Sequence, residues 1–251
     1  MDDLEKIMAS DFKIWKSQMK IFNKENLEML LSRLNRICGP RFYIMDYFQG
    51  RIIVDGSTLA SEILGGYSKE FIEEKGFAFF DVIFEPDERQ WSGEINKSAF
   101  KILSNSPIET RTDWVLSYDL TVKRIDGHKI IIHHRQMPFI LDDRGNMWYG
   151  LNYVVLSGQK KFGNPTLINR KINHIYEYLD GKFVRRDRVA LSDEEKLILD
   201  YLVKGYIGEH IAMELGISAS SLRRKKFLLY QRVGVSTNAE LVHWAHLNGI
   251  I

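Results

Sequence analysis

Between Leu191 and Ala245 the sequence is cut into short helices by signals that leave the backbone little choice. Ser192 and Glu195 form an S-x-x-E capping box, in which hydroxyl and carboxylate each satisfy an amide left open by the first helical turn. Leu197, Ile198, Tyr201 and Leu202 then supply an apolar side, and Gly205 ends the helix. Ile207, Ile211, Ala212 and Leu215 define a second, shorter helix, after which Gly216 provides a left-handed stop and Ile217 an apolar contact beside it. Ser218 follows at once as the next N-cap, opening a helix that turns Leu222, Leu229 and Val233 inward and closes at Gly234. Thr237 and Glu240 predict a second capping box for a last helix with Leu241, Trp244 and Ala245 on one side. Four short helices with a Gly-Ile-Ser turn between the second and third describe a helix-turn-helix.

The third of these helices, "SASSLRRKKFLLYQRVG", sets Arg223, Arg224, Lys225 and Lys226 side by side. Adjacent cations repel, so they need open solvent or a dense array of anions. A charge run taken alone reads as a solvated face; flanked by helix-turn-helix punctuation it reads as a DNA surface. A helix fits the major groove, its N-terminus favours phosphate, and Arg grips guanine at O6 and N7. The expected DNA-contacting residues are Ser218, Ser221, Arg223, Arg224, Lys225 and Lys226, with double-stranded DNA as partner.

The stretch from Leu191 to Ala245 resembles the LuxR/FixJ/NarL-type helix-turn-helix. Leu191, Glu195, Gly205, Ile211-Ala212, Leu215, Ile217-Ser218, Leu222, Val235 and Glu240-Leu241 stand at that family's usual places. The resemblance implies that Arg223 takes the place of a basic residue that enters the groove, with Arg224 beside it. Four departures stand out. Glu194 occupies a usual Arg position, Glu209-His210 replaces a Lys-Glu pair, Lys225 replaces a His, and Phe227 sits where some members place a base-contacting Lys.

The front of the chain has another rhythm. Trp15, Met19 and Phe22, then Leu27, Leu30, Leu31, Leu34 and Ile37, recur at helical spacing up to Cys38, and Gly39-Pro40 ends that run. "RFYIMDYFQGRIIVDGS" gives two short β-rich runs around Gln49-Gly50. Residues 57–105 mix helical signals with turns, Ser68 as an N-cap and Pro86 as a breaker. From 112 to 156, alternation at Trp114, Leu116, Tyr118, Leu120 and Val122, then turns at Asp126-Gly127 and Asp143 to Asn146, predict three successive antiparallel strands. These segments, "RIDG" and "DDRGN" included, resemble a PAS domain over residues 39–157. The fold expected is therefore an α+β PAS-like domain, an antiparallel sheet with helices, followed by an all-α four-helix LuxR-type helix-turn-helix domain. Its organisation reads as an N-terminal helical segment (1–38), the PAS-like sensor (39–157), a basic connector (158–186) and the DNA-binding tail (187–251). Residues 159–186 hold 7 Lys and Arg against 2 Asp and Glu, which suggested the connector; within it "HIYEYL" is compatible with a hairpin strand or a helical turn.

Other classes are disfavoured. Cys38 is the only cysteine, so no internal disulfide can form and a reducing compartment fits. No apolar run spans a bilayer, and the acidic start is unlike a secretory signal, which together predict a cytoplasmic protein with no membrane partner. Asp2-Asp3, Asp55 and Lys101 mimic a phosphorylated receiver, but no strand precedes the acidic pair. His133 and His134 are adjacent on a strand, point to opposite faces and cannot chelate one ion; Trp91, Trp114 and Trp148 read as core, and Asp142-Asp143 as turn chemistry. No nucleophile elbow, phosphate loop or zinc spacing is present, so no enzyme is expected, and no cofactor is identifiable. The reading is a homodimeric transcription regulator whose PAS-like domain takes a small-molecule or protein ligand. Two alternatives stay open: a protein-binding module with a degenerate DNA-binding tail, and a flavin- or haem-bearing redox or light sensor. The Leu27, Leu30, Leu31 and Leu34 stripe fits a dimer interface or packing on the chain's own sheet equally well.

Overall fold

The computed structural model describes residues 12–55, 64–169, 171–172, 174–186, 190–247 and 250; Asp2-Asp3, Gly56 and the start of the first predicted helix lie outside them. Two compact units are formed, Met1–Arg186 and Asp187–Ile251. Among the described residues no helix is long and apolar enough to cross a membrane.

The first unit is built on β1 (Phe42–Asp46), β2 (Arg51–Ile53), β3 (Trp114–Lys123), β4 (Lys129–Leu141), β5 (Met147–Leu156), β6 (Gly163–Asn169), β7 (His174–Leu179) and β8 (Lys182–Arg186). All pairings are antiparallel, and the strands lie in the order β2-β1-β5-β4-β3-β6-β7-β8. The predicted turns close the long strands. Gly127 takes φ +84 while Asp126 accepts the His128 amide at 3.0 Å. Buried Asp142 accepts the amides of Lys13, Arg144 and Asn146 at 2.8, 3.0 and 2.7 Å. Pro138, which has no amide to donate, sits where the β4–β5 register shifts.

Each face of this sheet is covered by its own layer. On one, helices α3 (Lys69–Lys75), α4 (Phe79–Ile83) and α5 (Pro86–Ser104) pack Ile72, Phe79, Ile83 and Ile95 on Leu116, Leu120, Ile132 and Val154. A side chain at Gly76, φ +52, would stand 2.4 Å from the Gly50 carbonyl, so only glycine lets α3 close on the β1–β2 turn. On the other face, α2 (Lys24–Cys38) buries Leu27 and Leu31 against Ile44, Ile53, Trp148 and Tyr149, so these leucines belong to the chain's own core. Asn35 locks that helix down: its Oδ1 accepts the amides of Arg41 and Phe42, and its Nδ2 donates to Asp55.

Two sequence expectations are corrected. The helix read as continuous to Cys38 breaks at Phe22-Asn23, separating α1 (Lys16–Ile21) from α2, because the Asn23 side chain accepts the Asn26 amide and caps a new start. The stretch 158–186, expected as a basic connector, contains β6, β7 and β8 and extends the sheet from the edge of β3. "HIYEYL" is a strand, and Asp180-Gly181 is its hairpin turn. The cationic composition that suggests a linker belongs to the end of the sheet: β7 and the edge strand β8 bury only Ile175 and Phe183, and β8 leaves Lys182, Arg185 and Arg186 outside.

The second unit holds α6 (Asp193–Val203), α7 (Gly208–Glu214), α8 (Ala219–Val233) and α9 (Asn238–Leu247). The first capping box is complete, Ser192 Oγ accepting the Glu195 amide and Glu195 Oε2 accepting that of Ser192. The second is shifted: Thr237 accepts the Glu240 amide, but Glu240 takes the amide of Ser236. At Gly216, φ +63, the Ile217 amide reaches back to Ala212 O and seals the turn into α8. One core cluster joins Ile198, Ile211, Ala212 and Leu222, a second Leu199, Leu229, Leu241 and Ala245. Leu197 and Ile207, read as inward, are exposed; Leu199 takes the inward place on α6, and Ile207 is the uncovered N-cap of α7.

Candidate functional site

Helix α8 sorts the four adjacent cations of its first half into two kinds. Leu222 and Leu229 fix the buried side, and at about 100° per residue the opposite side carries Ser220, Arg223, Arg224, Phe227 and Gln231. Arg223 and Arg224 are exposed, and among the described residues neither meets a carboxylate; Arg223 makes only a long 3.4 Å contact with Ala219 O. Lys225 turns back to Glu194 Oε2 at 2.6 Å. Lys226 lies half-buried with its ammonium 5.7 Å from the Tyr230 ring centre, and burial holds its pKa below the usual lysine value.

Both serines sit at the helix entry. Ser218 is the N-cap, its Oγ accepting the Ser221 amide at 3.2 Å and lying 2.9 Å from the Ser220 hydroxyl. Ser221 is half-buried, one turn before Lys225. A helix that opens on exposed amides and hydroxyls, then projects two exposed guanidinium groups, can engage phosphates at its start and base edges beyond it.

The departures from the family pattern are connected. Glu194 and Lys225, each unusual at its position, are partners in the 2.6 Å ion pair between α6 and α8. Glu195 adds a second tie, receiving Arg232 at 2.6 Å while keeping its capping role. Glu209 and His210 are both exposed on α7, where a carboxylate would oppose a phosphate. Phe227 and Leu228 are 59% and 56% exposed, unusual for large apolar side chains on a helix whose inner face is well filled.

A second site lies inside the sheet unit, in a cavity of about 70 Å³ between the sheet and α4–α5. Alternation along three strands aims Tyr43 and Met45 (β1), Tyr118 and Leu120 (β3), and His134 and Gln136 (β4) into it; Phe80 and Phe100 close the helical side. The Tyr43 hydroxyl lies 2.9 Å from His134 Nε2, Asn96 donates to Tyr118 at 3.0 Å, and Gln136 donates to Tyr47. Burial pushes the His134 pKa down to about 4; His133 adds to the effect and Asn152 opposes it. Among the described residues, His134 Nδ1 and Asn152 Oδ1 are buried without a hydrogen-bond partner, although Asn152 is near enough to favour the protonated ring. Burial likewise keeps Tyr43 and Tyr47 protonated far above neutrality and raises Tyr118 to about 12. Arg89, at the rim, is matched by Asp81 at 2.8 Å. The lining is thus aromatic, polar and uncharged around its interior.

Sequence reasoning missed this cavity. The alternation of β3 and β4 carried the signal, but which alternating face holds a void depends on helices from 69 to 104. The two histidines part as expected: His134 faces the cavity, while His133 Nδ1 meets Asp119 on the other side at 3.0 Å. Trp114 and Trp148 are core, and Trp91 packs on it. Among the described residues no group of three or more His, Cys, Asp or Glu could hold a metal ion.

Residues 189–245 match the model of a family described as bacterial regulatory proteins, luxR family. No curated protein sequence matches the chain. Among solved structures, the VqmA dimer of Vibrio cholerae, a LuxR-type receptor, is 16% identical over 87% of this chain and 87% of that one, with a TM-score of 0.33. VqmA bound to DPO is 15% identical over 85% and 89%, with a TM-score of 0.34. The PAS domain of a Colwellia psychrerythraea protein is 21% identical over 51% and 97%, with a TM-score of 0.35. Residues 189–245 form a LuxR-family helix-turn-helix domain, and the unit that precedes it in sequence is α+β, an antiparallel sheet with helices.

Proposed function

We propose that this chain is a transcription regulator that binds double-stranded DNA through α8 and adjusts that binding according to what occupies the cavity of its sheet unit. The observation that carries the reading is the outward pair Arg223 and Arg224, free of carboxylates among the described residues, on the third helix of a LuxR-family domain. Arg223 and Arg224 address bases. Ser218, Ser221 and Lys226 hold the phosphate flanks, while Lys225, expected there too, is retained by Glu194. The protein works as a homodimer on paired half-sites, since two such domains combine modest affinities. It acts in the cytoplasm, where exposed Cys38 stays reduced, and catalyses no reaction of its own.

The cavity fits a small uncharged molecule. Its interior presents neutral hydrogen-bonding groups among aromatic rings, and its volume of about 70 Å³ is under half of the ~150 Å³ that admits benzene elsewhere. A flavin or haem would have to displace the α4–α5 wall.

The test is titration of the full chain with a duplex selected from a random pool. Wild type is expected to lose affinity on the order of a thousandfold between low and moderate salt, as counterions are released. Arg223→Ala with Arg224→Ala is expected to lose about 1–3 kcal/mol for each bidentate base contact, with unchanged melting temperature. Salt-independent association, or undiminished affinity of the double variant, would support a protein-binding module instead.

A further inference from the structure

We infer that Phe227 is a specificity-determining residue that reads the 5-methyl group of a thymine one or two base pairs from the base addressed by Arg223. The inference rests on the DNA-binding role of α8 and adds to it the identity of a base. Phe227 is 59% exposed, although the inner side of the same helix is closed by Leu222 and Leu229 at 2% and 0%. It stands one turn beyond Arg223, and by helical angle it lies between Arg223 and Arg224, at the middle of the outward side. An aromatic ring there is set among the charges that would draw in DNA, with Gln231 a further turn along.

The chemistry selects the occupant. In the major groove the one apolar feature of a base edge is the thymine methyl, and Phe is among the side chains that contact it. A ring flanked by two exposed guanidinium groups is poorly placed to bury itself in an apolar protein groove, because both charges would be desolvated with it. Against a duplex, the guanidinium groups meet phosphate or guanine while the ring meets the methyl. One helical turn advances about 5.4 Å and one base pair about 3.4 Å, so the thymine lies one or two base pairs from the guanine of Arg223.

The experiment uses the full chain and a duplex selected by it, with each thymine replaced in turn by uracil, which removes only the methyl group. One position is expected to lower wild-type affinity about fourfold, the transfer value of one buried methyl group. Phe227→Ala should bind the thymine and uracil duplexes equally, and Phe227→Lys should shift the selected base there from thymine to guanine. Sequence-selective, salt-sensitive binding that ignores every uracil substitution overturns the assignment and leaves the DNA-binding reading intact. Methyl dependence that persists in Phe227→Ala overturns it as well. Failure to enrich any duplex would sink both readings together.

Discussion

The sheet unit and the helical tail treat polar side chains in opposite ways. In the first, Asp46, Glu88, Asp119, Asp142, Asn152 and Asn169 are all buried, mostly within dense hydrogen-bond sets. Asp119 is representative: burial would raise its pKa, but hydrogen bonds from His133, Asn164 and Ser157 outweigh that and hold it below the usual carboxylate range. In the tail every buried side chain among the described residues is apolar, and the charges stand outside. A unit that spends its polarity inward fixes one geometry around an internal cavity. A unit that spends it outward meets its partner at the surface. Ligand specificity should therefore depend on interior substitutions that also cost stability, whereas DNA specificity should be separable from folding.

That contrast can be broken most forcefully at Asp142. Asp142→Ala strands the amides of Lys13, Arg144 and Asn146 and should destabilise the sheet unit by about 3–5 kcal/mol, read by urea unfolding through Trp148 fluorescence. The tail's unfolding should be unaffected, and a loss under about 1 kcal/mol would mean that the buried network is not what holds the β4–β5 turn.

His134 gives the next largest effect. Its pKa is about 4 in the folded chain against an ordinary 6.5. Between those values the unfolded chain binds a proton that the folded one does not. Stability should fall as pH drops through that window, by a total of about 3 kcal/mol, and flatten below it. His134→Gln should remove this component of the slope; an unchanged slope would place the titration elsewhere.

The same contrast explains what could be read from residues alone. Capping boxes, glycine stops and the Ser218 cap act within four or five positions, so the tail was legible almost element by element. Its error on α6 was of register, Leu197 for Leu199, because Leu197, Ile198 and Leu199 are consecutive apolar residues and do not themselves mark which side of Ile198 turns inward. The sheet unit depends on distant pairing. Nothing local tells that β6 joins β3, since Leu167 and Asn169 find partners more than fifty positions away at Leu116 and Trp114. β7 and the cationic edge strand β8 hid for the same reason, carrying too few buried residues to display alternation. The cavity was least legible of all, because it is the space between two segments and no single one of them encodes it. The cations of α8 fared better: Arg223 and Arg224 stand outward as expected, whereas the engagement of Lys225 by Glu194 required the packing of α6 on α8.

That ion pair supplies the smallest and sharpest test. With side chains 36% and 41% exposed, Lys225 and Glu194 are wet enough that their coupling in a double-mutant cycle should be only about 0.5 kcal/mol. Its effect on binding is distinct from its effect on stability, because a lysine held by a carboxylate releases no counterion of its own from DNA. Glu194→Gln keeps the side-chain shape and frees Lys225 for a phosphate. The slope of log affinity against log salt should then steepen by about 0.9, while the melting temperature hardly moves. A slope identical to that of wild type would show that Lys225 already abandons Glu194 on the duplex, and the separation of folding from DNA contact would then be blurred at this one residue.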